Sequence, residues 1–158
     1  LVVGDGVARP GLLRLADELG LGEHAILPGR VPRDVARTYL AALDVVLVPR
    51  RPDRVTRLVT PLKPVEAMAL GRPVVASDLP ALAEVLSPLD GGDPAGVLAP
   101  PDDASAWADA VARLADDGAH RGALVAAGRD VAAERTWSRL VRRYDGVYAL
   151  ATARRPVH

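Results

Sequence analysis

The run Thr60-Pro61-Leu62-Lys63-Pro64-Val65-Glu66-Ala67-Met68-Ala69-Leu70-Gly71-Arg72-Pro73-Val74-Val75-Ala76-Ser77 constrains the fold more than any other part of the chain. It predicts a loop that tips into a short helix, a stop, and a buried strand. Pro61 or Pro64 suits the first helical turn, where a missing N–H costs nothing. Gly71 suits the left-handed position after the helix, and Pro73 forbids further helix. Val74-Val75-Ala76 is too short for a helix of its own and reads as a parallel strand covered on both faces. A helix that starts from a loop at the edge of such a sheet offers free backbone N–H groups and a positive dipole end, which is where phosphates bind in open α/β folds. Lys63 and Glu66 flank that opening.

The rest of the chain repeats this grammar. Leu1-Val2-Val3 reads as a strand that ends in the turn Gly4-Asp5-Gly6. A helix follows over Pro10 to Leu19, with Leu12, Leu15 and Leu19 at helical spacing. Arg9 stands where a dinucleotide fingerprint has its third glycine, so the glycine pair is read as a strand-to-helix turn. Ala25-Ile26-Leu27 is a second strand, and a helix opening at Arg33-Asp34 carries Val35, Tyr39, Leu40 and Leu43 on one side. A third strand, Asp44 to Pro49, leads into a basic loop, Arg50 to Val59, in which Arg50, Arg51, Arg54 and Arg57 surround the single acid Asp53. Loops at the carboxyl ends of parallel strands hold ligands, so this cluster either meets an anion or forms a solvated face.

Beyond Ser77 come a helix over Ala81 to Leu86, a turn at Asp90 to Asp93, and a strand at Gly96 to Leu98. Next is a helix over Ala104 to Leu114, capped by Asp102 or Asp103. Two further helices are predicted, about His120 to Glu134 and Trp137 to Ala151, before a basic tail over 151–158 that reads as frayed. In the last helix Trp137, Tyr144 and Tyr148 fall on one apolar stripe, which predicts core packing. The alternation of strand and helix implies an α/β fold with a doubly wound parallel sheet.

Composition removes several classes of function. With 158 residues, 49% of them apolar and a net charge of zero, the chain is read as one soluble globular domain rather than a nucleic-acid binder. It has no cysteine, and its three histidines, His24, His120 and His158, show no ligand spacing, so no metal site is expected. No apolar run approaches membrane-spanning length. Lys63 is the only lysine, all other basic side chains except histidine being arginine. A compact ammonium at that one position fits a point-charge contact to phosphate. The opening Leu1-Val2-Val3 already reads as a strand and the single methionine, Met68, is internal, so the chain is expected to be a piece of a longer polypeptide.

Several ordered motifs carry a resemblance over nearly the whole chain. Leu1 to Gly6, Leu19-Gly20-Leu21, Gly29-Arg30-Val31, Ala42 to Pro49, Glu66 to Ser77 and Gly96 to Pro100 with Trp107 together resemble the C-terminal domain of retaining GT-B glycosyltransferases of family 4. The resemblance implies a Rossmann-like, nucleotide-sugar-binding half of a GT-B fold that lacks its first strand-helix unit. It implies transfer of a hexose from a nucleotide-diphosphate sugar to a saccharide or lipid-linked acceptor, with retention. Glu66 matches the second glutamate of the family's Glu-x7-Glu motif and is expected to accept hydrogen bonds from the ribose hydroxyls. The backbone N–H groups of Leu62 and Lys63 match the diphosphate cradle, the Lys63 ammonium is expected to stabilise the leaving diphosphate, and Val31 matches the main-chain contact to the base. Arg50 and Thr60 complete the expected donor-binding set. No cofactor or metal is implied.

The chain departs from the family at two places. Leu58 stands where the first glutamate of the pair belongs, which leaves Asp53, Thr56 and Thr60 as alternatives for contacts to the transferred sugar. Thr60-Pro61-Leu62-Lys63-Pro64 replaces a glycine-rich approach and resembles an exopolysaccharide-type subgroup. The family's upstream arginine and lysine clamp, and its acceptor domain, lie outside this sequence, so the chain alone is expected to be inactive. Thr136-Trp137 resembles the start of the family's return helix to the acceptor domain. The parent is expected in the cytoplasm, with peripheral association at the inner face of the membrane. The competing readings are a GT-B relative that acts without transfer, such as a sugar-nucleotide epimerase or phosphorylase, and a degenerate domain without catalysis.

Overall fold

A computed structural model of the chain describes residues 1–153. The chain divides into two compact units, the first spanning Leu1–Ala42 and the second beginning at Leu43.

In the first unit, helix α1 spans Arg9–Glu18, a single 3-10 turn spans Gly22–His24, and helix α2 spans Arg33–Ala42. The two strands expected at its start are reduced to one isolated parallel bridge, Val3 with Gly29. Main-chain bonds from Val2 N to Ile26 O and from Gly4 N to Gly29 O, both 2.9 Å, complete the pairing. The shortfall is one of cover: Leu1, Val2 and Ile26 remain exposed, so little apolar burial rewards a longer ladder. The glycine pair does make the expected turn, closed by Arg9 N on Gly6 O at 2.9 Å as α1 begins. Arg9 then donates through Nη2 to Leu27 O at 3.0 Å and lies over Gly29, whose φ of +81° a side chain rarely adopts.

The second unit is built on three parallel strands, β1 (Val46–Val48), β2 (Val74–Ser77) and β3 (Val97–Ala99), in spatial order β1-β2-β3. The register pairs Val46 with Val74 and Val75 with Val97. Helices α3 (Arg54–Leu58) and α4 (Lys63–Ala69) connect β1 to β2, and α5 (Pro80–Leu86) connects β2 to β3. Helices α6 (Ala104–Asp116), α7 (Gly118–Glu134) and α8 (Trp137–Ala153) follow. All four residues of β2 are buried, as expected of a central parallel strand covered on both faces. On one face Val75 and Ala99 pack with Ala110 and Leu114 of α6, joined by Val97, Trp107 and Leu124. The Trp107 indole N–H donates to Pro100 O at 2.9 Å.

Local sequence explains where these elements begin and end. Helix α4 has a proline in its first turn and stops in a Schellman pattern: Gly71, at φ +67°, donates to Met68 O, and Arg72 N donates to Ala67 O, both at 2.9 Å. Of the two aspartates offered as the α6 cap, Asp103 does the work, accepting from Ala106 N at 3.0 Å; Asp117 caps α7 in the same way through His120 N at 2.8 Å. Gly128 of α7 is buried where α7 meets α4, and a Cβ there would lie 3.1 Å from Met68 Cγ.

The expectation for the last helix fails. Trp137 is 82% exposed, and Val141, Tyr144, Val147, Tyr148 and Leu150 are exposed as well. The stripe exists, but no neighbouring surface among the described residues buries it. The helix is ordered through Ala153, and the rest of the tail read as frayed lies outside the described residues.

Candidate functional site

The carboxyl ends of β1 and β2 gather most of the residues that sequence reasoning selects. Lys63 opens α4 and Glu66 lies in its first turn, three residues on, so both project from one side of the helix. Both are exposed rather than buried in an internal ion pair. The buried face of the same helix is Pro64, Ala67 and Met68. Leu62, the residue before the helix, is 74% exposed and supplies no side-chain cap. The first main-chain bond of the turn is Glu66 N to Leu62 O at 3.0 Å. Ahead of that bond the N–H groups of Leu62 and Lys63 precede the ladder, while Pro64 has none to offer. Pro61 is buried and fixes the chain just before this opening; Thr60 is exposed beside it.

The basic loop after β1 is more ordered than its sequence suggests, because it contains α3. Asp53 caps this helix, accepting from Thr56 N at 2.8 Å. The Thr56 hydroxyl lies 3.0 Å from both the Asp53 carbonyl and its Oδ1, and it also donates to Arg51 O. The Thr56 backbone N–H, and after it the Thr56 hydroxyl, hold the Asp53 carboxyl below its ordinary value, with a smaller contribution from the Arg50 charge. Two of the three alternatives for sugar contacts, Asp53 and Thr56, are thus engaged with each other, which leaves Thr60 as the exposed hydroxyl. An aspartate at the N-cap is a helix-start signal, and the density of arginines around Asp53 hid the helix from sequence reasoning.

Arg50 is half-buried where β1 ends. Its backbone N–H donates to Ser77 Oγ at 2.7 Å, and the Ser77 hydroxyl donates to the Arg50 carbonyl at 2.9 Å. Its guanidinium reaches Val59 O at 3.5 Å, and Arg57 Nε reaches Pro52 O at 3.4 Å. Arg51, Arg54 and Arg57 are exposed. Leu58 ends α3 and is 71% exposed, an apolar side chain with no capacity to hydrogen-bond a sugar. Val31 lies in the first unit, half-buried between Gly29 and the start of α2. The structure thus brings Arg50, Thr60, Leu62, Lys63 and Glu66 onto one connection of one sheet, with Val31 in the other unit. Ser77, which sequence reasoning treated only as the end of a strand, was missed; a lone serine closing an apolar run was its one signal.

Among the described residues no group of three or more His, Asp or Glu side chains is placed to hold a metal ion, and no helix is long and apolar enough to cross a membrane.

The family model for glycosyl transferases group 1 matches residues 1–117. The D-inositol 3-phosphate glycosyltransferase of Xylanimonas cellulosilytica is 37% identical over 162 aligned positions, which cover 99% of this chain and 36% of that protein. The chain therefore spans about a third of the length of the curated relatives it matches. Among solved structures, sucrose-phosphate synthase from Thermosynechococcus elongatus superposes with a TM-score of 0.76 at 28% identity, covering 96% of this chain and 38% of that one. HepE of Anabaena in complex with UDP and glucose has the same fold, with a TM-score of 0.74 at 20% identity over 95% of this chain and 39% of that one. The three parallel strands with their flanking helices are the Rossmann-like α/β architecture of these GT-B neighbours, and the chain belongs to the glycosyl transferases group 1 as a C-terminal domain of that fold.

Proposed function

We propose that this chain is the donor-holding half of a retaining family 4 glycosyltransferase of exopolysaccharide type, which moves a hexose from a nucleotide-diphosphate sugar to a saccharide or lipid-linked acceptor. The observation that carries the reading is the first turn of α4, where the single lysine of the chain and Glu66 stand exposed three residues apart. Glu66 accepts hydrogen bonds from the ribose hydroxyls. Lys63 and the N–H groups of Leu62 and Lys63 meet the diphosphate, with Arg50 and Thr60 alongside. Solved relatives of the same fold are described in complex with UDP and with UDP-glucose, which supports a donor of that class.

The chemistry asked of these residues is electrostatic. As the anomeric bond breaks, negative charge collects on the leaving diphosphate, and an ammonium with aligned backbone amides stabilises that charge more than it stabilises the bound donor. The reading invokes no metal and no nucleophile from this domain. The acceptor and its positioning groups belong to the part of the protein beyond this chain, and the reading places the enzyme in the cytoplasm with peripheral contact to the inner membrane face.

Donor titration into the full-length protein tests this directly. Each charged hydrogen bond is worth about 1.5–3 kcal/mol, so Glu66→Ala is expected to weaken donor binding by roughly ten- to a hundredfold, and Lys63→Ala to lower turnover as well. If both variants keep affinity and turnover within about twofold, below the loss of even one hydrogen bond, the site is misassigned. One observation favours a second reading. Leu58 cannot replace a carboxylate, so a domain that binds a donor without transferring its sugar keeps a place, and product analysis with and without acceptor separates the two.

A further inference from the structure

Ser77 is the one polar side chain buried in the core among the described residues, and it is fully enclosed. Both functions of the hydroxyl go to one residue: it accepts from Arg50 N at 2.7 Å and donates to Arg50 O at 2.9 Å. Arg50 lies two residues beyond the last β1 residue, where the strand-to-strand ladder has ended and the basic loop begins. Ser77 therefore supplies by side chain the two bonds that a longer ladder would have supplied by backbone. Its own position is firm, because the next residue, Asp78, donates from its N–H to Ala99 O at 2.8 Å.

Fixing both the N–H and the C=O of one residue fixes the direction in which its Cα–Cβ bond leaves the chain. The Arg50 guanidinium points across the loop to Val59 O, on the returning leg next to Thr60. We propose that Ser77 is a positioning residue for donor binding: it touches no substrate, and it acts by pinning the main chain of Arg50, which sets where the guanidinium stands beside the loop leg that leads to Thr60 and Lys63. This inference rests on the donor reading above.

The test is a double-mutant cycle in the full-length protein, read as donor affinity by calorimetric titration. The probe is whichever of UDP-glucose, UDP-N-acetylglucosamine and GDP-mannose binds the unsubstituted protein most tightly. Ser77→Ala, which removes both bonds to the Arg50 main chain, is expected to weaken binding about tenfold by releasing the guanidinium, as is Arg50→Met, which removes the guanidinium itself; that factor is on the order of one directed hydrogen bond to the ligand. Because the two residues act in series, Ser77→Ala added to Arg50→Met is expected to cost no more than about twofold further. Ser77→Cys, which keeps a weak donor and acceptor in a slightly larger side chain, is expected to recover part of the loss and guards against a folding defect in the alanine variant. Ser77→Ala binding as the parent does, or its loss multiplying in full with that of Arg50→Met, overturns the proposal. Glu66→Ala separates the levels: if it weakens binding while Ser77→Ala does not, only the role of Ser77 falls. If Glu66→Ala has no effect, or none of the three probes binds, the donor reading falls and the role of Ser77 falls with it.

Discussion

The segment from α4 through β3 and the helix α8 are both patterned with apolar residues at regular spacing, yet they end in opposite environments. Met68, Val74, Val75, Leu82 and Leu86 are essentially inaccessible to solvent, whereas Trp137, Tyr144, Val147 and Tyr148 are all more than half exposed. The difference lies in what each pattern meets. Helices α4 and α5 lie on the connections between strands of a parallel sheet, which offers an apolar surface for helices to cover. Helix α8 follows another helix and reaches no such surface among the described residues. Amphipathic periodicity thus says which side of a helix will be buried, but it does not say whether a partner surface exists.

The largest effect should come from removing bulk in the buried segment. Leu82→Ala leaves a cavity at a site with no exposed surface, and a loss of about 2–5 kcal/mol in unfolding free energy by chemical denaturation is expected; a change below the low end would mean that the segment is looser than its burial implies. Gly96→Ala comes next. Its new Cβ would stand 2.9 Å from Val74 O and 3.2 Å from both terminal methyl carbons of Leu86, and because the first neighbour is backbone, strain of about 1–3 kcal/mol is expected from the same measurement.

Gly71→Ala sharpens the comparison at the point where helix passes to strand. An alanine at φ +67° costs about 1–2 kcal/mol, and it must also push aside the Arg129 guanidinium that lies over Gly71. Gly71→Asn, which tolerates the left-handed region better, should recover part of the loss; an equal loss in both would place the cause in Arg129 rather than in the backbone.

A smaller, pH-gated effect belongs to Asp53. Hydrogen bonds from Thr56 lower its pKa in the folded chain, so its stabilisation of α3 is complete above the ordinary value of 3.8 and is lost as pH falls through the lowered one. Amide exchange at Thr56 should therefore differ between the parent and Asp53→Ala at neutral pH and converge in acid, and equal protection at neutral pH would remove the cap from the account. The smallest effect is expected on α8, where Tyr144→Ser and Tyr148→Ser should each shift the stability of this chain by no more than about 0.5 kcal/mol. A loss comparable to that of Leu82→Ala would break the contrast between the two regions.

Legibility in the sequence followed the same division. The run from Pro61 to Ser77 could be read almost residue by residue, because proline, glycine and a β-branched strand each leave only one arrangement open. Helices α6 and α7 were equally plain, the α6 cap following from the aspartates just ahead of its apolar period, while the Asp117 cap of α7 was not read and its start was placed two residues late. The strands at Leu1–Val3 and Ala25–Leu27 were over-read, since apolar character alone does not provide a covering layer. Helix α3 was under-read because its signal is a single Asp53–Thr56 contact within a charged run. In the candidate site, Lys63 and Glu66 were visible through the rarity of the one and the helical position of the other. Ser77 was not visible, because its bonds run to Arg50, which lies 27 residues earlier in the sequence.

Helix α4 divides its few residues between two duties without overlap. Pro64, Ala67 and Met68 turn inward, and Lys63 and Glu66 turn outward. On the donor reading proposed above, variation can act on the outward pair, changing how the donor is gripped, while the inward three continue to hold the architecture together. Recognition under that reading is free to drift on its own, and a designer who wished to retune it would have a short, separable stretch of chain on which to work.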